Sequence, residues 1–354
     1  VKSNMNILGI ETSCDETSAA VVRDGHTVLS NIVFTQIAHH RPYGGVVPEI
    51  ASRMHVEHLP EVINEALQSS GLSWADIDGI AVTNGPGLAS SLLVGLAGAK
   101  GLALRLNKPL LSINHLEAHI YSIFLDNPEL TPDSLCPFLA LIVSGGHTCF
   151  IQVNRIGEYR QLGRTVDDAA GEAFDKGANL LGLGYPGGPA IDKTARNGSK
   201  EFVTFPRGFV SKIPSRMPNL LPKYCVSFSG LKTSLLYHIK NHPLGSGPDA
   251  DVNNLAASYQ EAIVDTLVKR ATYAADTAKV MAVVGGVSLN SRLREKFAAM
   301  AEKKRLRLIL AKPRYCTDNA AMVAGLAFHK MATRLPLDQA MALDVDPNLG
   351  IGTN

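Results

Sequence analysis

The sequence predicts a two-lobed α/β protein, and three observations carry that prediction. Its 354 residues exceed the roughly 250–300 at which a single hydrophobic core stops growing. Glycine is frequent, at 31 residues, while aromatics reach only 6%, a balance that goes with close helix-on-sheet packing and many glycine turns. One order of elements (three strands, a helix, a strand and a helix) is also legible twice.

In the first half MNILGIE, TSAAVVRDG and HTVLSNIVF read as three short strands, with Asp24-Gly25 a hairpin signal. A helix is expected over residues 48–71. DIDGIAVTNGPG follows as a buried strand entering a Gly/Pro loop. ASSLLVGLAGAKGLALRL then reads as a helix whose small residues let it lie close to a sheet, and residues 108–113 as a further strand.

The second half restarts the series. PFLALIVSGG, HTCFIQVNRIG and EYRQLGRTV read as strands, with a helix expected over residues 168–181. Later, KVMAVVGGVSLNSRLREKFAAMAEKK reads as strand, glycine turn and amphipathic helix, LRLILA as a strand, and DNAAMVAGLAFHKMA as a helix. The expected lobes are therefore residues 1–127, ending in a helix with two histidines, and residues 128–354. Residues 184–229, rich in Pro, Gly, Lys and Arg, read as an insertion or lid, and NHPLGSGPDADVN as an ordinary surface loop.

The formal net charge of +2 is too mild to argue for or against a nucleic-acid partner. Positive charge is instead local, at Arg207, Lys212, Arg216, Lys223 and Lys232. Five cysteines (Cys14, Cys136, Cys149, Cys225 and Cys316) lie far apart without a CxxC pair, so neither a disulfide framework nor a thiolate zinc site is expected. A reducing cytoplasm fits best. The longest apolar stretch, residues 91–106, is interrupted by Lys100 and Arg105, and no membrane segment is expected.

NHLEAH, residues 114–119, places His115 and His119 at i and i+4, about 40° apart around a helix axis, so both rings can reach one ion. A peptidase helix, HExxH, sets its Glu directly after the first His. Here Leu116 holds that place, and Glu117 stands roughly 200° around the axis, facing away. VSGGHT, residues 143–148, is a Ser-Gly-Gly turn between strands. Its glycines let backbone N–H groups approach an anion, and Ser144 and Thr148 add hydroxyls. ETSCDETS, residues 11–18, has the same strand, polar turn, strand arrangement in the first lobe. Two such hairpins at equivalent places point to a phosphate held between the lobes.

Asn84-Gly85-Pro86-Gly87 and GGVSLN, residues 285–290, follow strands and precede helices, where α/β sheets tend to bind ligands. Either is also a plain strand-to-helix turn. Asp175 and Asp192 can bind ribose hydroxyls or serve as surface and capping groups. Asp318, just before an apolar helix, reads locally as its N-cap and alternatively as the oxygen of a His-His-Asp metal site. Such a donor set suits Fe(2+) or Zn(2+).

The ordered set GIETSCDETS, NHLEAH, VSGGHT, DDAAGEAFDKGANLLGLGYPGGP, GGVSLN and CTDNAAM resembles the tRNA N6-adenosine threonylcarbamoyltransferase family, particularly its bacterial catalytic subunit, over residues 6–329. The resemblance implies an actin-like, two-lobed ATPase fold shared with sugar kinases and heat-shock chaperones. It implies metal ligands at His115, His119 and Asp318, with iron favoured. Nucleotide and intermediate contacts would fall on Val143, Ser144, Gly145, Gly146, His147, Asp175, Gly188, Asp192 and Asn290, with an adenylate or ATP-type nucleotide, and Mg(2+), in the interlobe cleft.

The implied reaction moves a threonylcarbamoyl group from threonylcarbamoyl-AMP to N6 of the adenosine beside the anticodon in tRNAs that read ANN codons, releasing AMP. Glu11 and Asp15 are the candidates for a general base. Implied partners are tRNA, a noncatalytic paralogue, a small ATPase and a separate enzyme that makes the adenylate. Competing readings are a small-molecule kinase or ATPase of the same fold, a metallopeptidase, and a noncatalytic scaffold.

Overall fold

A computed structural model describes residues 4–352 except 216, 218–219 and 245–249. Arg216 and part of the expected surface loop NHPLGSGPDADVN thus lie outside the described residues. The chain divides into two compact units, one formed by residues 1–135 with 311–354 and the other by residues 136–310.

The first unit opens with β1 (Asn6–Glu11), β2 (Glu16–Arg23) and β3 (Thr27–Thr35). Asp24 and Gly25 both take positive φ, +52° and +78°, and the His26 N–H closes the turn on the Arg23 carbonyl. This is the primed hairpin turn that an Asp-Gly pair favours. A short helix α1 (Ile37–His40) leads to α2 (Pro48–Ser69), whose first residue is a proline, tolerated there because that N–H has no helical partner. Then come β4 (Gly79–Gly85), α3 (Ala89–Leu106), β5 (Leu110–Asn114), α4 (His115–Tyr121) and α5 (Pro132–Leu135).

The strands order as β3-β2-β1-β4-β5, with β1, β4 and β5 parallel and β2 and β3 antiparallel. Leu8, Ile10, Ile80 and Val82 pack with Leu59 and Ile63 of α2 and Leu96 and Ala99 of α3, each large side chain contributing about 1.5–3 kcal/mol on burial. Among the described residues α3 alone is long and apolar enough to cross a membrane, and it lies along β4 and α2.

The second unit contains β6 (Phe138–Val143), β7 (Thr148–Arg155), β8 (Glu158–Arg164), α6 (Ala170–Leu180) and α7 (Gly187–Ala195). It continues with α8 (Ser229–Asn241), α9 (Ala250–Ala274), β9 (Val280–Val284), α10 (Ser291–Lys304) and β10 (Arg307–Leu310). Its sheet order, β10-β9-β6-β7-β8, repeats the first sheet strand for strand, so the duplicated plan is borne out. Helix α7 falls inside the stretch expected as insertion or lid. Its Gly-Gly-Pro opening conceals the helix because those residues occupy its first turn, where a missing N–H costs nothing. The helices α8 and α9 are additions to the repeated plan.

The remaining helices, α11 (Ala320–Lys330) and α12 (Leu337–Met341), return to the first unit, which corrects the expected boundaries of 1–127 and 128–354. Residues 320–327 of α11 are all buried, and a Cβ added to Gly9 of β1 would stand 2.5 Å from the Ala320 carbonyl oxygen. The missing side chain lets the helix backbone rest on the strand. With α2 and α3 on one face and α11 on the other, every residue of β1 is buried.

Candidate metal centre and nucleotide turn

Strands β1, β4 and β5 of the first unit run parallel, so their carboxyl ends meet at one edge of the sheet, where α/β ligand sites gather. There β5 passes directly into α4. Asn114 caps the helix by accepting hydrogen bonds from the Leu116 and Glu117 N–H groups at 2.9 and 3.2 Å, and its Nδ2 donates to the Gly350 carbonyl at 3.0 Å. All seven residues of α4 are buried, so His115 and His119 sit in the interior rather than on a solvated face.

The two rings meet edge to face with centroids 4.6 Å apart. Asp318 Oδ1 lies 3.0 Å from His119 Nε2 and 3.6 Å from His115 Nε2. Asn319, not Asp318, caps α11 by accepting from the Met322 N–H at 3.2 Å, which corrects the local N-cap reading.

Behind His115 stands Glu11, at the end of β1 and fully buried. His115 Nδ1 donates to Glu11 Oε2 at 3.1 Å and lies 3.1 Å from Ser13 Oγ. The other Glu11 oxygen accepts from the Ser13 N–H at 2.6 Å, and Thr83 Oγ1 donates to Oε2 at 2.6 Å. Burial disfavours the Glu11 carboxylate, but His115 and these hydrogen bonds outweigh it and hold its pKa below the usual value. Burial likewise opposes charge on His115, yet Asp318 and Glu11 together push its pKa up to about 9.

The donor set fits a divalent cation. With the Nδ1 proton of His115 directed at Glu11, its Nε2 faces the Asp318 carboxylate at 3.6 Å, the position at which a cation can take the place of the second ring proton. His119 Nδ1 is also buried without a hydrogen-bond partner. One atom each from His115, His119 and Asp318 falls within 4.8 Å of the others, the two-imidazole, one-carboxylate set that suits Fe(2+) or Zn(2+).

Glu117 takes no part. It pairs with Lys330 at 2.7 Å, so the acid a peptidase would need is committed elsewhere. Asp15 is buried in the β1–β2 turn, where its carbonyl accepts from the Gln36 N–H at 3.2 Å. Burial, Asp15 and Asp318 together raise the neighbouring Glu16 carboxyl well above its ordinary pKa.

The nine remaining sequence-predicted residues all belong to the second unit. Beyond Val143 the turn is closed by the Ser144 N–H donating to the His147 carbonyl at 2.8 Å and the His147 N–H to Ser144 Oγ at 3.1 Å. A Cβ on Gly145 or Gly146 would meet nothing within 4 Å, so their backbone is open to a ligand. Helix α6 starts behind the turn, and a Cβ on Gly171 would lie 2.6 Å from the Ser144 carbonyl oxygen. The second glycine turn touches the first: Gly285, at φ +93°, would bring a Cβ to 2.3 Å from the Val143 oxygen.

Around these turns Asn290 caps α10 through the Leu293 N–H at 2.9 Å and donates to Gln260 at 2.7 Å. Asp192 accepts from Ser291 Oγ at 2.7 Å. Asp175 accepts from the Gly187 N–H at 2.7 Å, fixing the start of α7, where a Cβ on Gly188 would meet nothing within 4 Å.

Two sequence readings change. The Asn84–Gly87 loop is a packing surface: Asn84 O accepts from the Asp346 N–H at 2.8 Å, and a Cβ on Gly85 would fall 1.9 Å from the Asp346 oxygen. In the basic segment, Arg207 is paired with Asp265 at 2.6 Å, while Lys212, Lys223 and Lys232 are exposed. Sequence reasoning passed over Ser13, Thr83 and Asn114 as supports of the centre. Only Asn114, a capping residue directly before a helical His, carried a local signal.

A profile of the TsaD family, tRNA N6-adenosine threonylcarbamoyltransferase, matches residues 27–325. The enzyme of that name from Syntrophus aciditrophicus is 52% identical over 322 residues, 90% of each chain. Its counterpart in Thermosipho africanus is 45% identical over 349 residues, 98% of this chain and 100% of the relative. Among solved structures, T. kodakarensis HypF superposes with a TM-score of 0.56 at 16% identity, over 93% of this chain and 47% of that one. Component A of Acidaminococcus fermentans (R)-2-hydroxyglutaryl-CoA dehydratase gives 0.52 at 14% identity, over 93% and 99%. These two establish the fold alone, the actin-like ATPase fold to which the duplicated sheets point. The chain belongs to the tRNA N6-adenosine threonylcarbamoyltransferase family.

Proposed function

We propose that the chain transfers the threonylcarbamoyl group of threonylcarbamoyl-AMP to N6 of the adenosine beside the anticodon in tRNAs reading ANN codons. The observation that carries this reading is the buried His115–His119–Asp318 set, braced by Glu11, in a chain about half identical to transferases of that name. An adenine exocyclic amine is a poor nucleophile because its lone pair is delocalised, so the donor must be a mixed anhydride. N6 attacks the carbamoyl carbon, the bond from that carbon to the phosphate oxygen breaks, AMP leaves with the electron pair, and N6 gives up one proton.

His115, His119 and Asp318 would hold one divalent ion, with Fe(2+) preferred to Zn(2+), and that ion would supply positive charge to substrate oxygens. Glu11 orients His115 by accepting its Nδ1 proton, a positioning role, since both carboxylate oxygens are already engaged. Asp15, buried in the adjoining turn, is the remaining candidate for the proton at N6. In the second unit the open backbone at Ser144, Gly145 and Gly146, with His147 and Val143 shaping the turn, binds the adenylate phosphate or ATP with Mg(2+). Asp175, Gly188, Asp192 and Asn290 set the helix starts that complete that nucleotide site. Binding and orientation are then the main catalytic terms.

Exposed Lys212, Lys223 and Lys232 are the phosphate contacts we assign to tRNA. The protein works in the cytoplasm, with a noncatalytic paralogue and a small ATPase as partners. The test is to incubate the purified chain and those partners with threonylcarbamoyl-AMP and unmodified tRNA, then measure threonylcarbamoyladenosine by mass spectrometry of the digested tRNA. Product above the no-enzyme control supports the assignment, and its absence where a working relative gives product overturns it.

A further inference from the structure

The sheet edge that carries the metal ligands also carries the connection from β3 to α2, residues 36–47, QIAHHRPYGGVV. This segment is pinned. The Gln36 N–H donates to the Asp15 carbonyl at 3.2 Å, in the turn that also presents Ser13 to His115. His40, fully buried, accepts from the Val47 N–H at Nδ1, 3.2 Å away, and its Nε2 donates to Gln36 Oε1 at 3.2 Å. A backbone N–H can only donate, so the proton of His40 resides on Nε2 and both ring nitrogens are committed.

Between these anchors Arg41–Tyr43 forms one tight turn, closed by the Gly44 N–H on the Arg41 carbonyl at 3.1 Å, with Gly44 at φ +70°. The product is an aromatic ring held outward: Tyr43 is 65% exposed, more than any other large hydrophobic side chain among the described residues. His39 and Arg41 beside it are also exposed, and residues 36–47 contain no acid. An outward aromatic ring beside a guanidinium, on a turn anchored at both ends, matches the way proteins hold unpaired bases. The ring takes the face of the base and the cation takes the phosphate.

We propose that Tyr43 stacks on an unpaired base of the RNA substrate next to the adenosine presented to the metal centre, with Arg41 on an adjoining phosphate. This rests on the transferase reading above. The test uses the full-length chain with its partners and a synthetic anticodon stem-loop RNA carrying 2-aminopurine beside the target adenosine. Stacking quenches that fluorophore on binding.

Tyr43→Ala is expected to abolish the quench and weaken RNA binding about 5- to 100-fold, with metal content unchanged, while Tyr43→Phe retains both. Arg41→Gln is expected to lower the salt slope of binding by about one. Wild-type quenching and affinity in Tyr43→Ala would overturn the proposal, as would a loss confined to assembly with the partner proteins. If the wild type modifies tRNA and Tyr43→Ala does so with unchanged KM for tRNA, only this proposal falls. If the wild type with its partners modifies no tRNA, the transferase reading itself falls.

Discussion

His119 Nε2 and Asp318 Oδ1 stand 3.0 Å apart although 199 positions separate them in the chain. The pairing depends on α11 lying flat on β1, which Gly9 permits, and on Asn319 taking over the helix cap. Asp318→Ala is therefore expected to leave α11 in place and to lower metal affinity by more than the ~10–100-fold that outer partners of metal ligands are worth. Metal analysis after dialysis, alongside circular dichroism, checks both halves.

Glu11→Gln separates positioning from proton transfer. If Glu11 only orients His115, the variant loses about 10–100-fold in metal affinity and recovers turnover when metal is supplied in excess. Activity that stays lost at full metal occupancy would instead make Glu11 a catalytic group. Single-turnover assays at saturating metal give the answer.

The metal-free centre titrates through His115. Its pKa, about 9, lies above the ~6.5 of an unfolded histidine. The proton thus stabilises the metal-free fold fully below about pH 6.5, and that contribution is lost as pH rises through about 9. Metal must displace the same proton, so apparent affinity should rise nearly tenfold per pH unit from about pH 7 to 9 and then level off. Metal titrations across that range, with proton release followed in weak buffer, would show it.

Gly145 isolates ligand approach from folding. A Cβ there meets no protein atom within 4 Å, so Gly145→Ala should melt within about 0.5 kcal/mol of wild type. It should nonetheless weaken AMP binding about tenfold, because a methyl group blocks anion approach to the turn's backbone. Calorimetric titration with AMP and a thermal melt report the two effects separately. Gly171→Ala should fail on both, since its Cβ would press on the Ser144 carbonyl.

Away from the sites, Glu261 accepts from Arg292 Nε at 2.7 Å and from Lys296. Burial opposes its charge, but these cations hold its pKa down to about 2. Its stabilising contribution is present above the ordinary carboxylate pKa, ~4.3, and fades as pH falls through about 2. Glu261→Gln should cost roughly 1–3 kcal/mol at pH 7. The gap to wild type in denaturant titrations should narrow below about pH 4 and close only below about pH 2.

Much of this was readable without coordinates. The Asp24-Gly25 hairpin, the repeated strand order and the facing of His115 with His119 follow from local rules, because turn chemistry and helix periodicity act over a few residues. Glu117 shows the same: its place on the helix predicted that it faces away, and it pairs with Lys330. The stretch 184–229 resisted reading because proline and glycine mark a helix start as readily as a loop, and α7 begins on both.

The sequence by itself determined the duplicated α/β plan, the family and the two histidines, since each depends on neighbours in the chain or on ordered motifs. Ordered motifs also marked Asp318; tertiary structure alone decided that it stands beside both histidines and that Glu11, Ser13 and Thr83 brace His115. It also decided that residues 311–354 join the first unit and that Arg207 is spent on Asp265. Those outcomes depend on which helix covers which face of a sheet, and that is settled by packing across long chain separations, where local preference carries no information.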